Sequence, residues 1–185
     1  MAAESPRPFC FRLRGYAGAS YHRGAMGQVL RFLYLLSLVV WVGAIIFFSF
    51  VGAPSTFQAV PVDMAGRVVA RILPRYYLLG FVAGLVALVS FLGLARMSGQ
   101  WGGLKVANAL LLTAMLGTGL YAGTVVRRQA NEVRQQIGSF EDRSGARPEL
   151  RAEFDRLHRL SVILNGVVLC LGLVVVFVTA TSLRL

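Results

Sequence analysis

Asp155, His158, Ser161 and Asn165 follow one another at intervals of three, three and four residues. A helix through them carries all four on neighbouring turns. An acid, an imidazole and a hydroxyl in that order suggest a hydrolase triad. A triad needs the imidazole held between carboxylate and hydroxyl, with an oxyanion hole beside the nucleophile. Successive turns of one helix do not aim a serine and an aspartate at opposite nitrogens of one ring, and no oxyanion-hole turn is evident. The chain is therefore expected not to be an enzyme. A zinc site needs more ligands than one His and one Asp, and haem held by two histidines would need His22, in the N-terminal tail. No cofactor is expected, and His158 is the residue that a metal or haem would use. Two roles remain for His158: an interfacial histidine bonded to a neighbouring helix end, or a group that handles a proton or solute.

The elements that position these residues are strongly apolar. Hydrophobic residues make up 56% of the 185 residues, and mean hydropathy is +0.65. Four long runs, nearly free of charge, account for this: 29–51, 76–95, 104–126 and 160–183. Each has the roughly 20 residues that a helix needs to cross about 30 Å of hydrocarbon. The fold expected is an all-α membrane protein, a four-helix transmembrane bundle. Residues 1–28 are expected to be a disordered basic tail, whose true start is Met1 or Met26, and 29–185 the four-span membrane domain. The net charge of +11 comes without RNA-reading or zinc-finger spacing, so nucleic acid is not expected. Basic residues beside spans serve orientation and anionic lipid instead. Cys170 lies mid-span and reads as a small apolar residue.

The connections refine the picture. In loop 1, "VPVDMAGRVVARILPRYY" places Met64, Val68 and Ile72 on one stripe and Arg67, Arg71 and Arg75 on another. That predicts a short interfacial amphipathic helix, ended by Pro74 before the second span. "RMSGQWGGLK" joins spans two and three as a tight hairpin, with Trp101 as an interfacial anchor. "RRQANEVRQQI" and "PELRAEFDRLHR" predict an extramembrane helical hairpin between spans 3 and 4, its second arm starting at Pro148. Loops 1 and 3 share one side and hold 11 Lys and Arg, against eight on the other. The positive-inside rule then puts both loops in the cytoplasm. The location expected is multi-pass, in a bacterial inner membrane.

Inside the spans, Gly80 and Gly84, and Gly119 and Gly123, form two GxxxG pairs suited to close helix packing or homo-oligomer contact. Ser37, Ser49, Ser90, Asn108, Thr113, Ser161, Asn165 and Thr179 are among the few polar groups there. The amides of Asn108 and Asn165 should face the bundle interior, because an unpaired amide in hydrocarbon is costly.

Two stretches, "WVGAIIFFSFVGAPSTFQAVPVDMAGRVVARILPRYYLLG" and "FDRLHRLSVILNGVVLCLGL", resemble the transmembrane-protein-205-like family of membrane proteins, a domain of unknown function. The residues that carry the resemblance are Trp41, Gly43, Phe50, Pro54, Phe57, Ala65, Gly66, Tyr76 or Tyr77, His158, Ser161 and Asn165. It covers roughly residues 29–183 and implies a four-helix integral membrane protein without an assigned reaction. Those residues gather where span one leaves and span four enters. The site expected is a polar pocket on the loop-1/loop-3 face, made of Trp41, Pro54, Phe57, Tyr76, His158, Ser161 and Asn165. It would bind or pass a small solute, metal ion or lipid. The alternative is a non-catalytic accessory or structural subunit of a larger membrane complex. Membrane lipids, a second copy or such a complex are the partners expected.

Overall fold

The computed structural model describes the backbone of residues 14–99, 101–140 and 147–182. Helix α1 (Arg14–Phe47) passes through a π-bulge (Phe48–Gly52) into α2 (Ala53–Ala59). After a break at Val60 and Pro61 comes α3 (Val62–Met97). Helix α4 (Gly103–Tyr121) likewise passes through a π-bulge (Ala122–Val126) into α5 (Arg127–Ile137), and α6 (Pro148–Ser182) completes the chain. Four stretches, Gly24–Ala59, Val62–Met97, Gly103–Ile137 and Pro148–Thr181, are long and apolar enough to cross a membrane. The surface agrees: Val39, Phe50 and Phe177 are each 69% exposed, a pattern suited to lipid rather than water. The expected all-helical, four-span plan is the one observed.

Two expectations are corrected. Pro74 does not end a separate interfacial helix: α3 runs through it without interruption. Proline removes one backbone donor, but the amphipathic start and the apolar run share a continuous buried side. Packing along a 36-residue helix outweighs a single lost bond. The amphipathic stripe of loop 1 is thus the beginning of α3. Residues 14–28, read as tail, fall within α1, since extending a nucleated helix costs little. Residues 1–13 lie outside the described residues, and so does Cys10.

The helices neighbour one another in the order α1, α3, α4, α6 and back to α1. Each supplies a buried seam: Tyr34, Leu38, Trp41 and Ile45 on α1, Ala83 and Ala87 on α3, and Leu112 and Met115 on α4, at three- and four-residue spacing, and Val168 and Val175, two turns apart, on α6. The large residues of α1 lie opposite the small ones of α3. Gly172 brings α6 close, since a Cβ there would stand 2.9 Å from Val42 and 3.1 Å from Met115.

At the loop-1/loop-3 end a polar clamp ties three helices together. Arg134 donates to the carbonyls of Gly66 (2.8 Å) and Asp63 (3.1 Å). A Cβ on Gly66 would stand 2.8 Å from that guanidinium, so a larger residue there would make the arginine shift. The Asp63 carboxylate accepts from the Ser139 hydroxyl and, at 2.8 Å, from the Phe140 amide. From α6, Arg151 donates to the carbonyls of Ser139 (3.2 Å) and Phe140 (3.3 Å) and lies over the Phe140 ring. Helix α5 stops at Gly138, whose φ of +76° suits glycine. The chain beyond it turns straight into the clamp.

Asp63→Ala removes both acceptor bonds and is expected to lower stability by about 1–3 kcal/mol, read as an earlier thermal midpoint in detergent. Asp155→Ala, on an exposed side chain, should leave the midpoint nearly unchanged. Equal midpoints in the two variants would deny the clamp.

Candidate functional site

Toward the same end, between α1, α3, α4 with its π-bulge, and α6, lies a cavity of about 250 Å³. Its walls are mainly apolar: Trp41 and Ile45 from α1, Leu116 and Leu120 from α4, Leu164 and Val168 from α6. Its polar groups gather at the outer end, where Tyr76, Tyr77, Asn165, Thr124 and Arg127 line it.

Two of them, Tyr76 and Asn165, belong to a chain of hydrogen bonds. The Tyr76 hydroxyl donates to Asn165 Oδ1 at 2.6 Å, and Asn165 Nδ2 donates to Ser49 Oγ at 2.9 Å. That string joins α3 to α6 and α6 to the first π-bulge. Beside it, the hydroxyls of Tyr77 and Ser161 share a longer bond of 3.4 Å. Phe48 stacks on Tyr76, ring centroids 4.9 Å apart, and Tyr77 meets Tyr76 edge-on. Arg127 turns back on its own helix, its Nε donating to the Gly123 carbonyl at 2.8 Å. The cavity's polar end thus combines a phenol, an amide and a guanidinium, all held in place.

Both π-bulges border this region. A π-bulge accommodates one residue more than the α-helical ladder, and such bulges frequently mark functional sites. Here the first contains Ser49, the acceptor that ends the hydrogen-bond string. The second supplies Ala122, Gly123 and Thr124 to the cavity wall.

The glycines divide by role. A Cβ on Gly84 would stand 2.6 Å from the Trp41 ring and 2.7 Å from Leu116, and one on Gly80 would stand 3.1 Å from the indole nitrogen. The indole therefore lies along the groove that Gly80 and Gly84 leave in α3. Gly123 does the same for the Tyr77 ring, at 2.8 Å. Gly119 differs: a Cβ there meets nothing within 4 Å, and the residue lines the cavity. Three of the four GxxxG positions accept this chain's own aromatic rings, and the fourth leaves open space.

Of the seven residues expected to form the pocket, Trp41, Tyr76 and Asn165 line the cavity. Ser161 stands just behind it, bonded to Tyr77. Pro54, Phe57 and His158 are exposed and are not among the lining residues. The His158 ring stacks on Phe154, the planes within 8° and the centroids 6.2 Å apart. Phe154 in turn meets Phe140, 5.0 Å away, so His158 ends an aromatic row that begins at Phe140 and runs along α6 toward the span. Sequence reasoning missed Tyr77, Thr124 and Arg127 as lining groups and Ser49 as the string's end. The adjacent tyrosines at the start of an apolar run were the available signal.

The profile of a domain of unknown function, DUF4149, matches residues 36–139, more than half of the chain. The chain belongs to the DUF4149 family. No curated protein and no solved structure matches it. The DUF4149 match runs from Leu36 in α1 to Ser139 in the clamp and does not include α6. Trp41, Ser49, Tyr76, Tyr77 and Arg127 lie inside it, and Ser161 and Asn165 outside.

Gly84→Ala drives a methyl group into Trp41 and Leu116 and is expected to cost about 1–3 kcal/mol. Gly119→Ala enters open space and should leave the thermal midpoint unchanged or slightly higher. The opposite order of midpoints would refute this division of the glycines.

Proposed function

We propose that this DUF4149 protein is a non-catalytic membrane protein that binds or passes a small, mainly apolar molecule with one polar end. The cavity beside Trp41 is its site. The observation that carries this reading is the cavity's asymmetry: hydrocarbon walls, with Tyr76, Asn165 and Arg127 together at one end. Ligand sites are commonly apolar clefts with a few fixed polar groups that set orientation. The Arg127 guanidinium and the second N–H of the Asn165 amide suit a ligand oxygen, such as a hydroxyl, carbonyl or carboxylate, and the Tyr76 oxygen, whose proton goes to Asn165, suits a ligand hydroxyl as acceptor. Metal is the weaker ligand class, because no His, Cys, Asp or Glu lines the cavity and a neighbouring guanidinium opposes a cation.

The finer affiliation with transmembrane-protein-205-like proteins belongs to this proposal, since it would extend the family likeness over α6 and hence over Asn165. A bacterial inner-membrane location with loops 1 and 3 in the cytoplasm belongs to it too, supported by the 11 Lys and Arg on that side. The accessory-subunit alternative loses much of its proposed docking surface, because Gly80, Gly84 and Gly123 already receive Trp41 and Tyr77.

Gly119→Leu fills the cavity from a position with free space. Native mass spectrometry of protein released gently from its own membrane should show a small bound mass in the wild type. The mass should be lost from Gly119→Leu and kept in His158→Ala, with all three chains folded. A bare wild-type chain, or the same mass in Gly119→Leu, would sink the proposal.

A further inference from the structure

A second cavity, of about 650 Å³, opens at the opposite end of the bundle. Its floor is a second polar string: Asn108 Nδ2 donates to the Tyr34 hydroxyl at 2.9 Å, which shares a 2.8 Å bond with Thr179 Oγ1. Asn108 is only 3% exposed, yet its Oδ1 has no hydrogen-bond partner among the described residues. Leaving a buried amide oxygen without a donor is unfavourable, and such a group calls for an explanation.

The cavity's rim is cationic. Arg31 and Lys105 both line it. Each precedes its floor residue, Tyr34 or Asn108, by three positions, which places it roughly 4.5 Å farther out along its helix. Lys105 Nζ also donates to Ser98 Oγ at 2.7 Å. Gly102 and Leu104, at the N-terminal end of α4, line the same rim, where helix dipole and amide groups favour an anion. No Asp or Glu is among the lining residues. Leu35, Phe91, Leu94, Leu104 and Val178 supply apolar wall, and Leu104 is 68% exposed, so hydrocarbon surface continues outward from the cavity.

We infer that this cavity holds the headgroup of an anionic phospholipid that carries a free hydroxyl. The phosphodiester sits at the Arg31–Lys105 rim, and an acyl chain leaves along Leu35 and Leu104. The headgroup hydroxyl donates to Asn108 Oδ1, which a small rotation about the soft χ2 torsion turns toward the cavity. The site lies on the far side of the core from the cavity beside Trp41 and does not depend on what that cavity holds.

The test uses the full chain in detergent and three lipids of defined headgroup: phosphatidylglycerol, phosphatidylmethanol and phosphatidylcholine. Phosphatidylmethanol has the charge of phosphatidylglycerol but no headgroup hydroxyl. Native mass spectrometry should show phosphatidylglycerol retained over phosphatidylcholine. Arg31→Gln combined with Lys105→Gln should reduce that retention about tenfold, a loss of about 1.4 kcal/mol, without changing the thermal midpoint. The wild type should also favour phosphatidylglycerol over phosphatidylmethanol, and Asn108→Ala should erase that preference while still holding both. Equal retention of phosphatidylcholine, or full retention by the double variant, overturns the inference. So does equal binding of phosphatidylmethanol by the wild type. Displacement of the lipid by millimolar inorganic phosphate would assign the rim to a free anion and overturn the lipid.

Discussion

Between helices in a bilayer, apolar surface gains nothing by leaving lipid, so association rests on close van der Waals fit and a few polar bonds. In this protein the fit turns on Trp41. Its indole lies in the groove formed by Gly80 and Gly84, where a Cβ on Gly84 would strike both the ring and Leu116. The ring sets the spacing of α1 and α3, forms part of the buried core and is one wall of the cavity. A smaller residue would loosen the α1–α3 contact and merge the cavity with the core. A residue on α3 larger than glycine would push the ring into the cavity. The site and the fold therefore draw on the same atoms.

The polar strings show a second economy. Tyr76, Asn165 and Ser49 connect α3, α6 and the first π-bulge near one end, while Asn108, Tyr34 and Thr179 connect α4, α1 and α6 near the other. Between them the buried seam of Leu38, Ala87, Leu112, Met115 and Val175 leaves no lining residue common to the two cavities. The bundle is thus closed at mid-height and hollow toward both ends, with a hydrogen-bonded layer holding the helices at each hollow. In hydrocarbon, an unpaired amide at either level would be costly, so each string fixes its helices as well as its cavity.

Much of the fold was legible in the sequence because its signals are long. Four apolar runs, Pro148 at a helix start and paired glycines at a four-residue interval each express a property of one helix alone. The site was only partly legible. His158 and Asn165 lie seven residues apart and hence nearly on one side of α6, yet Asn165 is half-buried and His158 exposed. Spacing says which residues share a side, whereas the neighbour present at each height decides what that side meets. Past the first π-bulge, α2 packs against α3, and at the height of His158 the ring finds Phe154 of its own helix. The amide at position 165 has Tyr76 and Ser49 in reach; the imidazole two turns away has neither. The clamp of Asp63 and Arg134 was invisible for a similar reason, since it joins residues 71 positions apart through a backbone carbonyl, which no side-chain pattern reports.

The π-bulges bear on how this chain can change length. Each holds one residue beyond what an α-helical ladder needs, so the helical segments on its two sides are phased as if that residue were absent. Elsewhere in a span, losing one residue turns everything beyond it by about 100° and swings a buried seam out toward lipid. A deletion within Phe48–Gly52 or Ala122–Val126 would instead let the ladder close as a plain α-helix with both seams still in phase. The bundle would survive, but the turn that presents Ser49 to Asn165, or the one that walls the cavity with Gly123 and Thr124, would be gone. Among relatives, single-residue gaps at these two places would therefore separate chains that keep the architecture from chains that also keep the cavity.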